Sequence, residues 1–143
     1  MVNDIIDGIA VKLGEICPEV EVYRDEIEQG FSEPCFFILP LRTVQTTEVG
    51  NRYQRTHSFD VHYFPSEPRK ASEEIHEVAS ALLTGLEYIT AGGDLIRATR
   101  AEYEVHDGVL HFEVDYAVFV RRVEEKKPLM EVLKQEGRIK DGG

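Results

Sequence analysis

Histidine and carboxylate are the side chains through which this chain could do chemistry, because imidazole nitrogen and carboxylate oxygen suit metal ligation or proton transfer. Five histidines are present: His57, His62, His76, His106 and His111. None stands in HExxH or another recognised ligand spacing. His57 and His62 are separated by an odd interval, so on one strand they face opposite sides. His106 and His111 flank Asp107-Gly108, and a tight turn there sets His111 opposite Glu104 and His106 opposite Val109. Glu102, Glu104, Glu113 and Asp115 fall on the same face as His111. Carboxylates do acid–base work only in a pocket that perturbs them, and an open sheet face leaves them solvated. A small metal site at the turn is one reading and solvated strand histidines the other; the spacing favours the second.

The remaining candidates point the same way. Cys17 and Cys35 lack CxxC or metal-like spacing and read as two reduced, partly buried thiols. Ser58 and Ser72 have no evident base partner. Gly92-Gly93 is too short to cradle a phosphate and precedes a strand. GxSxG, the P-loop and GxGxxG are all absent. The expectation is a non-enzyme with no catalytic residue, no cofactor and no metal.

The elements that must position these groups come from hydrophobic period. Ile5, Ile6, Ile9, Leu13 and Ile16 form one helical stripe over residues 4–16, with Asn3 as N-cap and Pro18 as the stop. Gly8 and Gly14 weaken that helix by propensity. Val20–Tyr23 alternates as a short strand, and 26–34 is an acidic loop. A second helix opens at Ser66-Glu67-Pro68 and carries Ala71, Ile75, Val78, Ala79, Leu82, Leu83 and Leu86 on its core face. A hairpin from Leu95 to Val120 turns at Asp107-Gly108, pairing Val105 with Leu110, Tyr103 with Phe112, Ala101 with Val114 and Leu95 with Val120. A short helix over 129–136 is optional. The reading is an α+β fold, an antiparallel sheet with two main helices on one face, in the order α-β-β-β-α-β-β. Residues 1–125 form the single domain and 126–143 a tail.

Between the two helices lies a much longer hairpin, Cys35 to Phe64. Each leg of about 14 residues would extend roughly 45 Å, against a radius of gyration of about 14–15 Å for a domain of this length. Centred on Gly50, it sets Phe37 against Tyr63, Leu39 against Val61 and Leu41 against Phe59. Its base is therefore apolar and its outer half polar. The hairpin projects, and a projecting polar hairpin meets another chain. The residues expected at that interface are Arg42, Thr43, Gln45, Thr46, Thr47, Glu48, Asn51, Arg52, Gln54 and Arg55.

Charge follows the same division. The 143 residues carry a net −11, but residues 35–64 hold 3 basic and 2 acidic groups whereas residues 1–34 hold 2 and 9. A near-neutral arm thus interrupts an acidic body. Phosphate binding needs a basic face, so no specific nucleic-acid binding is expected. No apolar run approaches the ~18–20 residues that cross a membrane, and Met-Val-Asn-Asp lacks a basic, apolar signal region, which suits a cytoplasmic product.

The Asn3-Asp4-Ile5-Ile6 helix start, the Pro34-Cys35-Phe36-Phe37 strand entry, the hairpin end Phe59-Asp60-Val61-His62-Tyr63-Phe64-Pro65 and the closing Asp115-Tyr116 strand together carry a resemblance. Over nearly all of residues 1–125 the chain resembles the phage tail terminator, tail completion or head–tail joining proteins of Gram-positive phages and prophages. That resemblance implies a structural virion protein, made in the host cytoplasm and carried in the virion tail. It implies self-association as a ring, by expectation a hexamer, with the tail tube protein and head–tail connector proteins as partners. It transfers no residue-level site. A small cytoplasmic ligand-binding or regulatory α+β module is the alternative, and an acidic DNA mimic a third reading.

Overall fold

The computed structural model describes residues 1–24, 30–67 and 71–121. The optional helix over 129–136 and the tail from 126 lie outside these residues, as does the expected helix entry at Pro68. Among the described residues, two helices and six strands follow in the order α1 (Val2–Ile16), β1 (Glu21–Tyr23), β2 (Cys35–Thr47), β3 (Arg52–Phe64), α2 (Ala71–Gly85), β4 (Tyr88–Ala91), β5 (Asp94–His106) and β6 (Val109–Arg121). The sheet order is β1-β2-β3-β6-β5-β4, antiparallel except where β1 runs parallel to β2. The α+β reading holds, with β4 as an added strand in the stretch the sequence suggested as the connection after a helix ending at about residue 88.

Both helices lie on one face. Ile5, Ile9 and Leu13 of α1 and Ile75, Ala79 and Leu82 of α2 are buried against Phe36, Ile38, Phe59, Val61, Leu110, Phe112, Val114 and Tyr116 of the sheet. Each large side chain so buried contributes about 1.5–3 kcal/mol. Leu83, assigned to the same stripe, is exposed instead, and helix α1 starts at Val2 with no side-chain cap from Asn3. The buried Tyr116 hydroxyl donates to the Leu86 carbonyl at 2.6 Å and ties the end of α2 to β6. The Glu74 carboxylate accepts from Tyr63, from the Ser66 amide and from the Ser66 hydroxyl, fixing the start of α2 to the end of β3.

Two bulges set the registers. In the β2–β3 hairpin the outer half pairs as expected about Gly50, with Gln45 opposite Arg55 and Thr47 opposite Tyr53. Between Pro40 and Arg42 the register shifts by one residue, so at the base Phe36 faces Tyr63, Ile38 faces Val61 and Pro40 faces Phe59. The expected pairs Phe37–Tyr63, Leu39–Val61 and Leu41–Phe59 are therefore wrong. The extra residue, Leu41, follows a proline that cannot donate to a ladder, and a one-residue insertion exchanges the two faces of the strand. Phe37 is turned to the face opposite α1 and α2. There it is covered by Phe31, Tyr23 and Phe64, with ring centroids 5.1–5.6 Å away.

The second bulge lies between Ala98 and Arg100 of β5. Val105–Leu110, Tyr103–Phe112 and Ala101–Val114 pair as read, around a turn with Asp107 and Gly108 both at positive φ. Beyond the bulge β5 leaves β6, so the expected Leu95–Val120 pair does not form; Leu95 pairs with Thr90 of β4. Strand β4 packs on α1, which also touches β1 and β2 at the opposite edge. The sheet thus curls around α1.

Candidate functional site

Strand β3 pairs with β6 along its whole length, from Arg52 opposite Arg121 to Tyr63 opposite Leu110. This inter-hairpin pairing decides what the face opposite α1 and α2 presents. The outer half of the long hairpin is accordingly a three-stranded ribbon of β2, β3 and the end of β6, beyond the cover of the helices.

The ten expected interface residues divide between two faces of this ribbon. Arg42, Thr46, Arg52 and Gln54 point to the open face; Thr43, Gln45, Thr47 and Arg55 point to the helix side; Glu48 and Asn51 flank Gly50 at the tip. All are exposed except Gln54 and Arg55, which are half-buried. Arg55 Nε donates to Gln45 Oε1 at 2.7 Å, and Arg42 reaches Glu113 at 3.4 Å. Arg52 lies 5.0 Å over the ring of Phe119, which is 59% exposed. Val44 of β2, 51% exposed, and Phe119 of β6 lie on the same face, on either side of Thr56 and Gln54 of the central strand β3. The composition of the first hairpin alone did not include Phe119. The available signal was the run Ala117-Val118-Phe119-Val120, where the alternation of β6 gives way to apolar residues on both faces.

The free edge of β2 is the second feature. Strand β1 covers β2 only at Cys35–Phe37, so Ile38–Thr47 keep an unpaired outer edge among the described residues. Pro40 is tolerated there because an edge position loses no ladder bond. The Glu48 amide donates to the Arg52 carbonyl at 2.8 Å. Strict alternation then turns the amides of Thr46, Val44 and Arg42 to β3 and those of Thr47, Gln45 and Thr43 outward.

Closer to the base, the open face is charged. Glu102, Glu104, Glu113, Asp115 and His111 share it as read from the turn register, and β3 adds Ser58, Asp60 and His62. Arg100 pairs with Glu102 at 2.7 Å, Glu113 at 3.4 Å and Asp115 at 3.6 Å. Burial pushes the Cys35 thiol up to about 11, with Glu33 and Glu21 adding to the effect, so it stays protonated and unreactive.

His57 faces the helix side and is buried, its Nδ1 2.9 Å from Thr43 Oγ1. Burial lowers its pKa, helped by the charges of the Met1 amino group and Arg55. The unfolded chain therefore takes up this proton more readily than the fold, so stability is full above the ordinary value of about 6.5 and falls as pH drops below it. Thermal unfolding at pH 7 and pH 5.5 will show a lower Tm at pH 5.5, and His57→Gln will reduce that difference. Glu74, held low against the opposing effect of burial by its bonds from Tyr63 and Ser66, titrates outside this window. An unchanged pH dependence in His57→Gln would remove His57 as the source.

Comparison with known proteins adds to this geometry. A family model described as phage tail terminator protein matches residues 4–128. The uncharacterized protein YqbJ of Bacillus subtilis (strain 168) is 29% identical over 125 residues, spanning 82% of this chain and 81% of that one. One solved structure covers 88% of this chain and 99% of its own at 13% identity, with a TM-score of 0.38, a likeness that carries no argument.

Proposed function

The chain belongs to the phage tail terminator protein family, a family of structural tail proteins of the virion, and from that premise we propose that it caps the tail tube as a ring and helps join tail to head. The ring is by expectation a hexamer. The observation that supports this reading best is the long outer edge of β2, open from Ile38 to Thr47 among the described residues and exposed on both faces over its outer half. A row of unpaired amides and carbonyls is a template for a strand of another chain, and main-chain pairing supplies affinity without a pocket. The neighbouring copy or the tube protein would add its strand there. The exposed side chains of β2, Val44 among them, would then lie beside the added strand. The acidic body of this chain, whose net charge is −11 overall, suits a channel wall past which DNA moves without sticking.

The test is assembly. Electron microscopy of the full chain mixed with its tail tubes will show a cap on one tube end, and capped tubes will not lengthen when tube protein is added. Tubes that lengthen equally with and without the chain would overturn the proposal.

A further inference from the structure

Three groups on the open face converge without belonging to the outer edge. His62 and His111 stand directly opposite each other on β3 and β6, and Asp60 lies two residues along β3 on the same face. His62 Nε2 is 3.0 Å and His111 Nδ1 3.7 Å from the same oxygen, Asp60 Oδ2. One ligand atom from each of the three residues lies within 4.8 Å of the others. We propose that Asp60, His62 and His111 hold a divalent transition-metal ion of the zinc class.

The spacing carries the assignment. Nitrogen and oxygen ligands sit about 2.0–2.2 Å from zinc, so two of them on a tetrahedral ion lie roughly 3.3 Å apart. The two distances to Asp60 Oδ2 bracket that value. Two imidazoles and one carboxylate select zinc and its transition-metal neighbours over magnesium or calcium, which take oxygen ligands. Three protein ligands leave a fourth position for water. Asp60 Oδ1 supplies a separate observation: it is buried and has no hydrogen-bond donor among the described residues. A buried carboxylate oxygen without a donor is costly, and a cation beside it removes the cost.

The neighbours define the limits of the site. Glu113, opposite Asp60, is engaged by Arg42 and Arg100. Glu104, opposite His111, is bonded to His106 at 2.8 Å. Both stay outside the ligand set. Because β3 and β6 are the central strands of the sheet, the ligands come from rigid elements, and the ion would clamp the first hairpin to the second. This holds whether or not the chain forms a ring.

The test uses the full, untagged chain, freed of metal by a chelator and titrated with Co2+ and then Zn2+. One equivalent of Co2+ will give the visible absorption of a four-coordinate site, Zn2+ will displace it, and Zn2+ but not Mg2+ will raise Tm. Asp60→Asn, His62→Gln and His111→Gln will each weaken binding at least as much as the roughly 10–100-fold lost when an outer-shell partner is removed. His76→Gln, on the exposed side of α2, will bind as the parent does. Should one of the three fail to fold, by circular dichroism, the remaining two and the cobalt spectrum decide. No stoichiometric binding, or equal binding by these variants and the parent, would overturn the site.

Discussion

Proline at Gln45 is expected to abolish assembly while leaving the fold intact. The Gln45 amide points outward, because Glu48 donates to Arg52 and alternate residues face β3. Gln45→Pro therefore removes a donor from the open edge and puts a ring in the path of an incoming strand, without breaking a bond to β3. Thr46→Pro does the reverse. Its amide faces Gln54, so the substitution breaks a ladder bond and costs about 1 kcal/mol or more. Gln45→Ala controls for the exposed side-chain bond from Arg55, an interaction of small worth at an exposed site. The measurements are tube capping by electron microscopy and Tm by circular dichroism. Gln45→Pro should lose capping with Tm close to the parent, and Gln45→Ala should retain it. Full capping by Gln45→Pro would show that the edge is not where copies or tube protein attach.

The second large effect is in α1, where two glycines have opposite roles. Alanine at an exposed helix position gains about 0.8–1 kcal/mol over glycine. Gly14 is exposed, and a Cβ there meets nothing within 4 Å, so Gly14→Ala should stabilise by about that amount. Gly8 is buried against β4. A Cβ there would overlap the carbonyl oxygen of Thr90 and lie 3.3 Å from Ile89 Cδ1. A backbone carbonyl cannot swing aside as a side chain can, so Gly8→Ala must push α1 off β4. The cost is about 1–3 kcal/mol, larger than the propensity gain. At roughly 2–4 °C per kcal/mol, the two variants should move Tm in opposite directions. A higher Tm for Gly8→Ala would mean that α1 does not pack on β4 as described.

Much of the fold was legible because its signals are local. The stripe Ile5-Ile9-Leu13 repeats within one helix, and Asp107-Gly108 dictates its own turn and hence the pairs Val105–Leu110 and Tyr103–Phe112. The register at the base of the long hairpin was not legible. Every residue from Cys35 to Pro40 is apolar except by position, so alternation could not say which set faced the helices, and the bulge at Leu41 decided it. Strand β4 was missed for a related reason: four residues, Tyr88-Ile89-Thr90-Ala91, are too few to show a period. Of the candidate interface, the polar residues were legible from composition. Phe119 was not, because it belongs to the other hairpin.

The sequence by itself determined the elements, the turns and the polarity of the long hairpin's outer half, since each depends on residues within a few positions of one another. It also carried the family resemblance. Only the tertiary structure decided that β3 lies beside β6, and that pairing alone brings His62 to His111 and Arg52 to Phe119. The same holds for Gly8, which weakens a helix considered alone and permits close packing once Thr90 lies against it. In both cases the physical reason is one: contacts between residues far apart in the chain depend on which apolar faces bury together, and local propensity does not encode that choice.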